Sequence, residues 1–152
     1  MKHLIHRAAA VIAALLALST AACDSATGAS PGSALAGRYT LQSVNGQPTP
    51  YTLKDDATSK VEVLDGYIDL DAGGDFTQAF LFRTTPVGGV STGTTSITQG
   101  DVTVTGSSIR FEARPSGSGT FSGTIVSGVI TYTIQGNNGP LEFRFVKAMT
   151  AT

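Results

Sequence analysis

The chain has 152 residues, 10 basic against 11 acidic, and a formal net charge of −1, which bounds it to one domain and gives it no basic footprint for nucleic acid. A single cysteine, Cys23, excludes a disulfide within the chain. Both histidines, His3 and His6, stand at the very start, so everything after them lacks the imidazole of a Ser-His-Asp pair, a Cys-His pair or a zinc site.

The first element is a leader. Lys2, His3, His6 and Arg7 are positive or ionisable, 8–18 is an unbroken apolar run of 11 residues, and Ser19, Thr20, Ala21 and Ala22 put small residues directly before Cys23. As a helix the run spans ~16 Å, about half of the ~30 Å bilayer core. The order predicts a secretory signal over 1–22, cleaved or anchored, and not a spanning helix. Ordinary cleavage leaves Cys23 as a lone thiol, a liability in an oxidising compartment; lipid attachment removes that liability. The stretch Thr20-Ala21-Ala22-Cys23 resembles the lipobox of bacterial lipoproteins, with Thr20 where that family usually has an aliphatic residue. The resemblance implies secretion across the cytoplasmic membrane and a diacylglycerol on Cys23. Two acyl chains suffice for stable anchoring in the cell envelope. Asp24 marks inner-membrane retention in enteric bacteria, a rule confined to that group, so inner versus outer membrane stays open.

Beyond the leader, 8 basic residues face 11 acidic ones, a net −3, and there is no Trp. Residues 23–36 are small and polar without a hydrophobic period, which predicts a flexible tether reaching roughly 40 Å. From Gly37 the pattern becomes alternation punctuated by turns, rich in Thr, Val, Ile, Tyr and Phe and poor in helix formers. Strands are predicted at 38–44, 60–71, 75–83, 100–105, 108–114, 119–126, 128–135 and 140–147. In the second, Glu62, Leu64, Gly66, Ile68 and Leu70 share one face and Val61, Val63, Asp65, Tyr67, Asp69 and Asp71 the other. Residues 48–53, with Pro48 and Pro50, are expected to cross one barrel end, and 85–98 to form a mobile Gly/Ser/Thr loop.

These elements predict an all-β domain over 37–148: an antiparallel meander of about eight strands closed as a β-barrel, or alternatively a β-sandwich. Eight strands enclose an interior that is either filled by side chains or just able to hold one small ligand. Leu35-Ala36-Gly37-Arg38-Tyr39-Thr40-Leu41-Gln42-Ser43-Val44-Asn45-Gly46-Gln47-Pro48 and the later Asp65-to-Thr77 strand-turn-strand are similar to small bacterial lipocalin-like lipoproteins. Lipocalins proper have Trp where Tyr39 stands. The resemblance implies a lipocalin-like barrel with apolar-ligand binding and no established chemistry.

Candidate sites follow. Phe76, Phe80, Phe82, Phe111, Phe121, Phe143 and Phe145 fall on strands and build a core, or line a ligand pocket where the barrel is open. Asp69, Asp71 and Asp75 alternate around Gly73 and Gly74, which suits either an exposed hairpin tip or an oxygen-rich calcium loop; the twelfth-position Glu of an EF-hand falls on Phe80. Nothing brings Asp65 together with Glu62 or Glu112 as a glycosidase pair, and Arg110, Arg114 and Arg144 suit solvated ion pairs. The expectation is a non-enzymatic envelope lipoprotein without a cofactor. It binds a small apolar ligand, or serves as an interaction module for an envelope protein partner with a filled barrel.

Overall fold

The computed structural model describes residues 29–115 and 119–149. The leader and Cys23 lie outside the described residues. After a one-turn helix α1 (Gly32–Leu35), the described residues form nine strands: β1 (Gly37–Val44), β2 (Tyr51–Asp55), β3 (Ser59–Leu70), β4 (Asp75–Pro86), β5 (Thr92–Thr105), β6 (Ser108–Ala113), β7 (Thr120–Val126), β8 (Val129–Gly136) and β9 (Gly139–Lys147). Every pairing between them is antiparallel.

The ring closes between β1 and β3. β1 pairs with β9 along its length, and its first residues also pair with the end of β3, Gly37 against Leu70 and Tyr39 against Ile68. Eight strands, β1 and β3–β9, therefore make a closed antiparallel meander, which removes the sheet edges a sandwich leaves. β2 is a ninth strand on the edge of β3 that β1 vacates, with Tyr51 opposite Val63 and Asp55 opposite Lys60. Residues 48–53, expected to cross a barrel end, thus run into a strand that fills the upper part of the seam.

Local sequence sets the hairpins. Asn45-Gly46 and Ser127-Gly128 both have positive φ at both positions (49° and 74°; 50° and 75°), the two-residue turn whose twist matches that of paired strands. Two expectations need correction. The loop expected over 85–98 is largely strand: β4 runs to Pro86, the connection is only 87–91, and β5 begins at Thr92. In β3 a bulge between Val63 and Asp65 changes which residues point inward. Val63 is fully buried with Ile68 and Leu70, whereas Asp65 is exposed; Val63 and Asp65 do not share a face.

One core fills the ring. Tyr39, Val44, Val63, Ile68, Ile109, Phe111, Ile130 and Phe145 have no solvent exposure, and burying each aliphatic or Phe side chain contributes about 1.5–3 kcal/mol against the unfolded chain. The segment expected to be tether contributes to this unit from Ala29 onward. Ala29 and Val104 exchange both backbone hydrogen bonds at 3.0 and 2.7 Å, and Leu35 packs on the core. The hydrogen-bonded ring and its one core are built from the described residues alone, as a single folding unit.

Candidate functional site

The two ends of the barrel differ. At the end where β1 begins, residues 29–36 lie across the opening. The Tyr39 hydroxyl donates to the Leu35 carbonyl at 2.7 Å, the Lys147 ammonium donates to the Ala34 carbonyl at 2.8 Å and sits 5.9 Å from the Tyr39 ring centre, and Ser30 donates to the Gly73 carbonyl at 3.0 Å. Tyr39 thus occupies the base of the barrel beneath a cation from the last strand.

The middle of the lumen is aromatic. Phe111 stacks on Phe121 with ring centres 4.6 Å apart, and Phe76 meets Phe111 edge-on at 5.0 Å. Tyr132 bridges to Phe121, Phe143 and Phe145 at 4.9, 5.4 and 5.8 Å, and Phe80 reaches Phe143 at 5.2 Å and Phe82 at 5.8 Å. All seven phenylalanines singled out from the sequence therefore join one network. Gly66 makes room for it: a Cβ there would stand 2.7 Å from the Phe80 ring and 3.0 Å from the Ala79 carbonyl oxygen. A polar pair sits within the rings, where the Gln78 amide donates to the Tyr132 hydroxyl at 2.5 Å. Burial pushes the Tyr132 phenol well above its ordinary range, and the bond from Gln78 opposes this only in part.

The opposite end is open. Directly paired residues of adjacent strands point to the same face, so Thr84, Phe82, Phe80 and Gln78 of β4 share the inner face with Thr92, Thr94, Ser96 and Thr98 of β5. Thr92, Thr94 and Ser96 are nevertheless solvent-exposed, so the lumen admits water beside Phe80 and Phe82, which are only half-buried. Across the opening, Ile134 of β8 pairs with Leu141 of β9; Ile134 is 39 % exposed and Leu141 half-buried. The stagger of the ring produces this mouth. β6 pairs with β5 only over 100–105 and β7 with β8 only over 123–126 and 129–132. The upper parts of β5 and β8 stand above them, without a partner on that side among the described residues.

Charge at the mouth faces outward. Glu62, on the outer face of β3 opposite Arg83 but itself buried, accepts from Lys60 at 2.9 Å and Arg83 at 2.8 Å. These hydrogen bonds, Lys60 first, hold its carboxyl below the usual range. Lys54, placed opposite Val61 at the rim, is turned to Asp56 at 2.8 Å and to the hydroxyls of Thr58 and Ser59 at 3.3 and 3.2 Å. That contact and the bonds from Thr58 and Ser59 hold the Asp56 carboxyl far below the usual range.

The acidic residues of the β3–β4 hairpin are each occupied separately. Arg38 grips Asp69 with two hydrogen bonds of 2.8 and 2.6 Å, Arg114 pairs with Asp75, and Asp71 accepts from the Gly73 backbone N–H at 2.6 Å. Among the described residues no three metal-ligating side chains converge. Asp69, Asp71 and Asp75 stand at the β3–β4 hairpin, with Gly74 at φ 104°. Arg110 lies 3.8 Å from Glu112, and Asp65 accepts from the Gly66 N–H at 2.7 Å, away from the Glu62 cluster. Cys23 lies outside the described residues. Sequence reasoning missed Ser96, Ile134 and Leu141 as mouth residues and Gln78 as the buried partner of Tyr132; the signal for Ser96 is a run of small polar residues that is strand, not loop.

No family model and no curated protein matches this chain. Among solved structures, the crystal structure of a mutant of the fluorescent protein UnaG is similar, at 13 % identity and a TM-score of 0.33, covering 76 % of this chain and 96 % of that one. The barrel assignment rests on the closed hydrogen-bonded ring itself.

Proposed function

We propose that this protein is a lipid-anchored, non-enzymatic domain of the cell envelope that takes a small apolar molecule into the open end of its barrel. The supporting observation is the exposed inner face at the mouth: Thr94 and Ser96 point into the lumen beside half-buried Phe80 and Phe82 and still meet solvent. Apolar rings beside convergent hydrogen-bonding groups in a concavity are the usual makings of a ligand site. Phe76, Phe111 and Phe145 serve as packed floor, and the ligand-contacting rings are Phe80 and Phe82. The anchor reading rests on the sequence of the leader and Cys23. Cys23 precedes Ala29 by six residues, a reach of about 20 Å at most, and Ala29 is bound at the closed end. A lipid on Cys23 thus holds the closed end toward the bilayer and leaves the mouth facing away.

The packed aromatic lumen favours a second reading, an interaction module for an envelope protein with no ligand. Native mass spectrometry of the 24–152 domain, purified from its own host's envelope, separates the two. A bound small molecule released on denaturation supports the carrier. A clean apo mass, with no dye or lipid taken up on titration, supports the interaction module. Labelling of the full chain with an alkyne fatty acid, lost in Cys23→Ser, tests the anchor.

A further inference from the structure

We infer that the mouth selects uncharged ligands, an apolar body of one or two rings carrying neutral hydrogen-bonding groups, and discriminates against anions and cations of the same shape. This rests on the ligand-binding reading above and adds its chemistry. The inner wall of the mouth combines Phe80, Phe82, Ile134 and Leu141 with the hydroxyls of Thr94 and Ser96, and no ionised side chain points into it among the described residues. Charges are plentiful close by, yet each is spent elsewhere. Lys60 and Arg83 both pair with Glu62 on the outer face, and Lys54, among the described residues the one cation whose register faces the rim, is held by Asp56, Thr58 and Ser59.

A charged ligand entering this mouth loses water and gains no counter-ion, whereas a hydroxyl, carbonyl or amide exchanges water for Thr94 and Ser96. Depth sets size. Phe80 meets Phe143 at 5.2 Å, Phe121 meets Tyr132 at 4.9 Å, and the Gln78–Tyr132 bond lies among these rings. The floor lies at that level, so a long acyl chain cannot thread the barrel without displacing the aromatic core.

Two dyes built on one skeleton test this: N-phenyl-1-naphthylamine, which is neutral, and 1-anilinonaphthalene-8-sulfonate, which carries a sulfonate. Both are titrated by fluorescence into the 24–152 domain and into its Ser96→Lys variant. Ser96 is exposed, so a lysine there is accommodated without repacking, and near-ultraviolet circular dichroism verifies the fold. The expected result is at least tenfold tighter binding of the neutral dye to the native domain. In Ser96→Lys the sulfonated dye gains about tenfold relative to the neutral dye, so the preference follows the charge of the wall and not the hydrophobicity of the dye. Equal or tighter binding of the sulfonated dye by the native domain overturns the inference while leaving a ligand site in place. An unchanged dye ratio in Ser96→Lys overturns it as well. Binding of neither dye removes the carrier reading and this inference together.

Discussion

The amide of Gln78 on β4 donates to the phenol oxygen of Tyr132 on β8 at 2.5 Å, joining two walls of the barrel through the aromatic middle of the lumen. Both side chains are buried, at 6 and 3 % exposure. A polar pair in such a place fixes the relative position of the two walls, because either partner alone is left desolvated. We expect Tyr132→Phe to destabilise the domain by about 1–3 kcal/mol, the cost of an unpaired buried amide. The double variant Tyr132→Phe with Gln78→Met then recovers part of that loss. Urea unfolding of the wild type, both single variants and the double variant checks this. Additive losses would show that the hydrogen bond contributes no coupling.

The same tyrosine gives an alkaline limit. Burial raises the phenols of Tyr132 and Tyr39 above the ordinary value of 10.0. Above about pH 10 the unfolded chain releases phenolic protons that the folded chain keeps, so the unfolded state binds fewer protons and stability falls as pH rises. The contribution is fully present below the unfolded pKa and is lost toward the folded values. We expect the urea midpoint to hold to about pH 9 and to decline above it, with a shallower decline in Tyr132→Phe. Equal alkaline slopes in the two proteins would assign the loss to other groups.

Several strands are legible in the sequence because one face meets core and the other water. β6 alternates Ile109, Phe111 and Ala113 with exposed residues, and β8 and β9 carry Ile130, Tyr132, Phe143 and Phe145 at the same period. β5 is hidden where that contrast fails. Thr92 to Ile97 are exposed on both faces because one side opens into the mouth, so a strand reads as loop. β2 is masked by Pro48 and Pro50 before it and by Lys54, Asp55 and Asp56 at its end. The bulge in β3 is silent because Val63 and Leu64 are both apolar and either phase satisfies the pattern. The acidic hairpin has a visible spacing, but its partners Arg38 and Arg114 come from 31 and 39 residues away along the chain. Sequence places all seven phenylalanines inside; which of them are floor and which line the mouth depends on the stagger of the ring.

Gly66 is the one glycine of β3, and an added Cβ there meets the Phe80 ring at 2.7 Å and the Ala79 carbonyl oxygen at 3.0 Å. Its neighbour is the flank of an aromatic ring that itself packs on Phe143 and Phe145. Gly66→Ala therefore overpacks the lumen and pushes Phe80 toward the mouth. We expect a loss of about 1–3 kcal/mol in urea unfolding, with weaker binding of the neutral naphthylamine dye. A variant as stable as the wild type, with unchanged dye affinity, would mean that the ring gives way freely and that Phe80 is not held by Gly66.

At the other end of the barrel, Tyr39 and Lys147 hold the N-terminal segment through two carbonyls one residue apart in α1, those of Leu35 and Ala34. Their bonds differ in kind. The Tyr39 hydroxyl is part-buried and neutral, whereas the Lys147 ammonium reaches its carbonyl at the surface, where water competes. Tyr39→Phe keeps the ring that fills the barrel base and removes only the hydroxyl, at about 0.5–1.5 kcal/mol. We expect that loss to be local: amide hydrogen exchange rises over 29–36, at the Ala29–Val104 bridge and the Ala36 N–H that donates to Gly32, while β3 and β4 stay protected. Lys147→Met is expected to do less in the same measurement. If Tyr39→Phe instead loosens the whole sheet, the Leu35 contact belongs to the global fold, and docking of the N-terminal segment is inseparable from closure of the barrel.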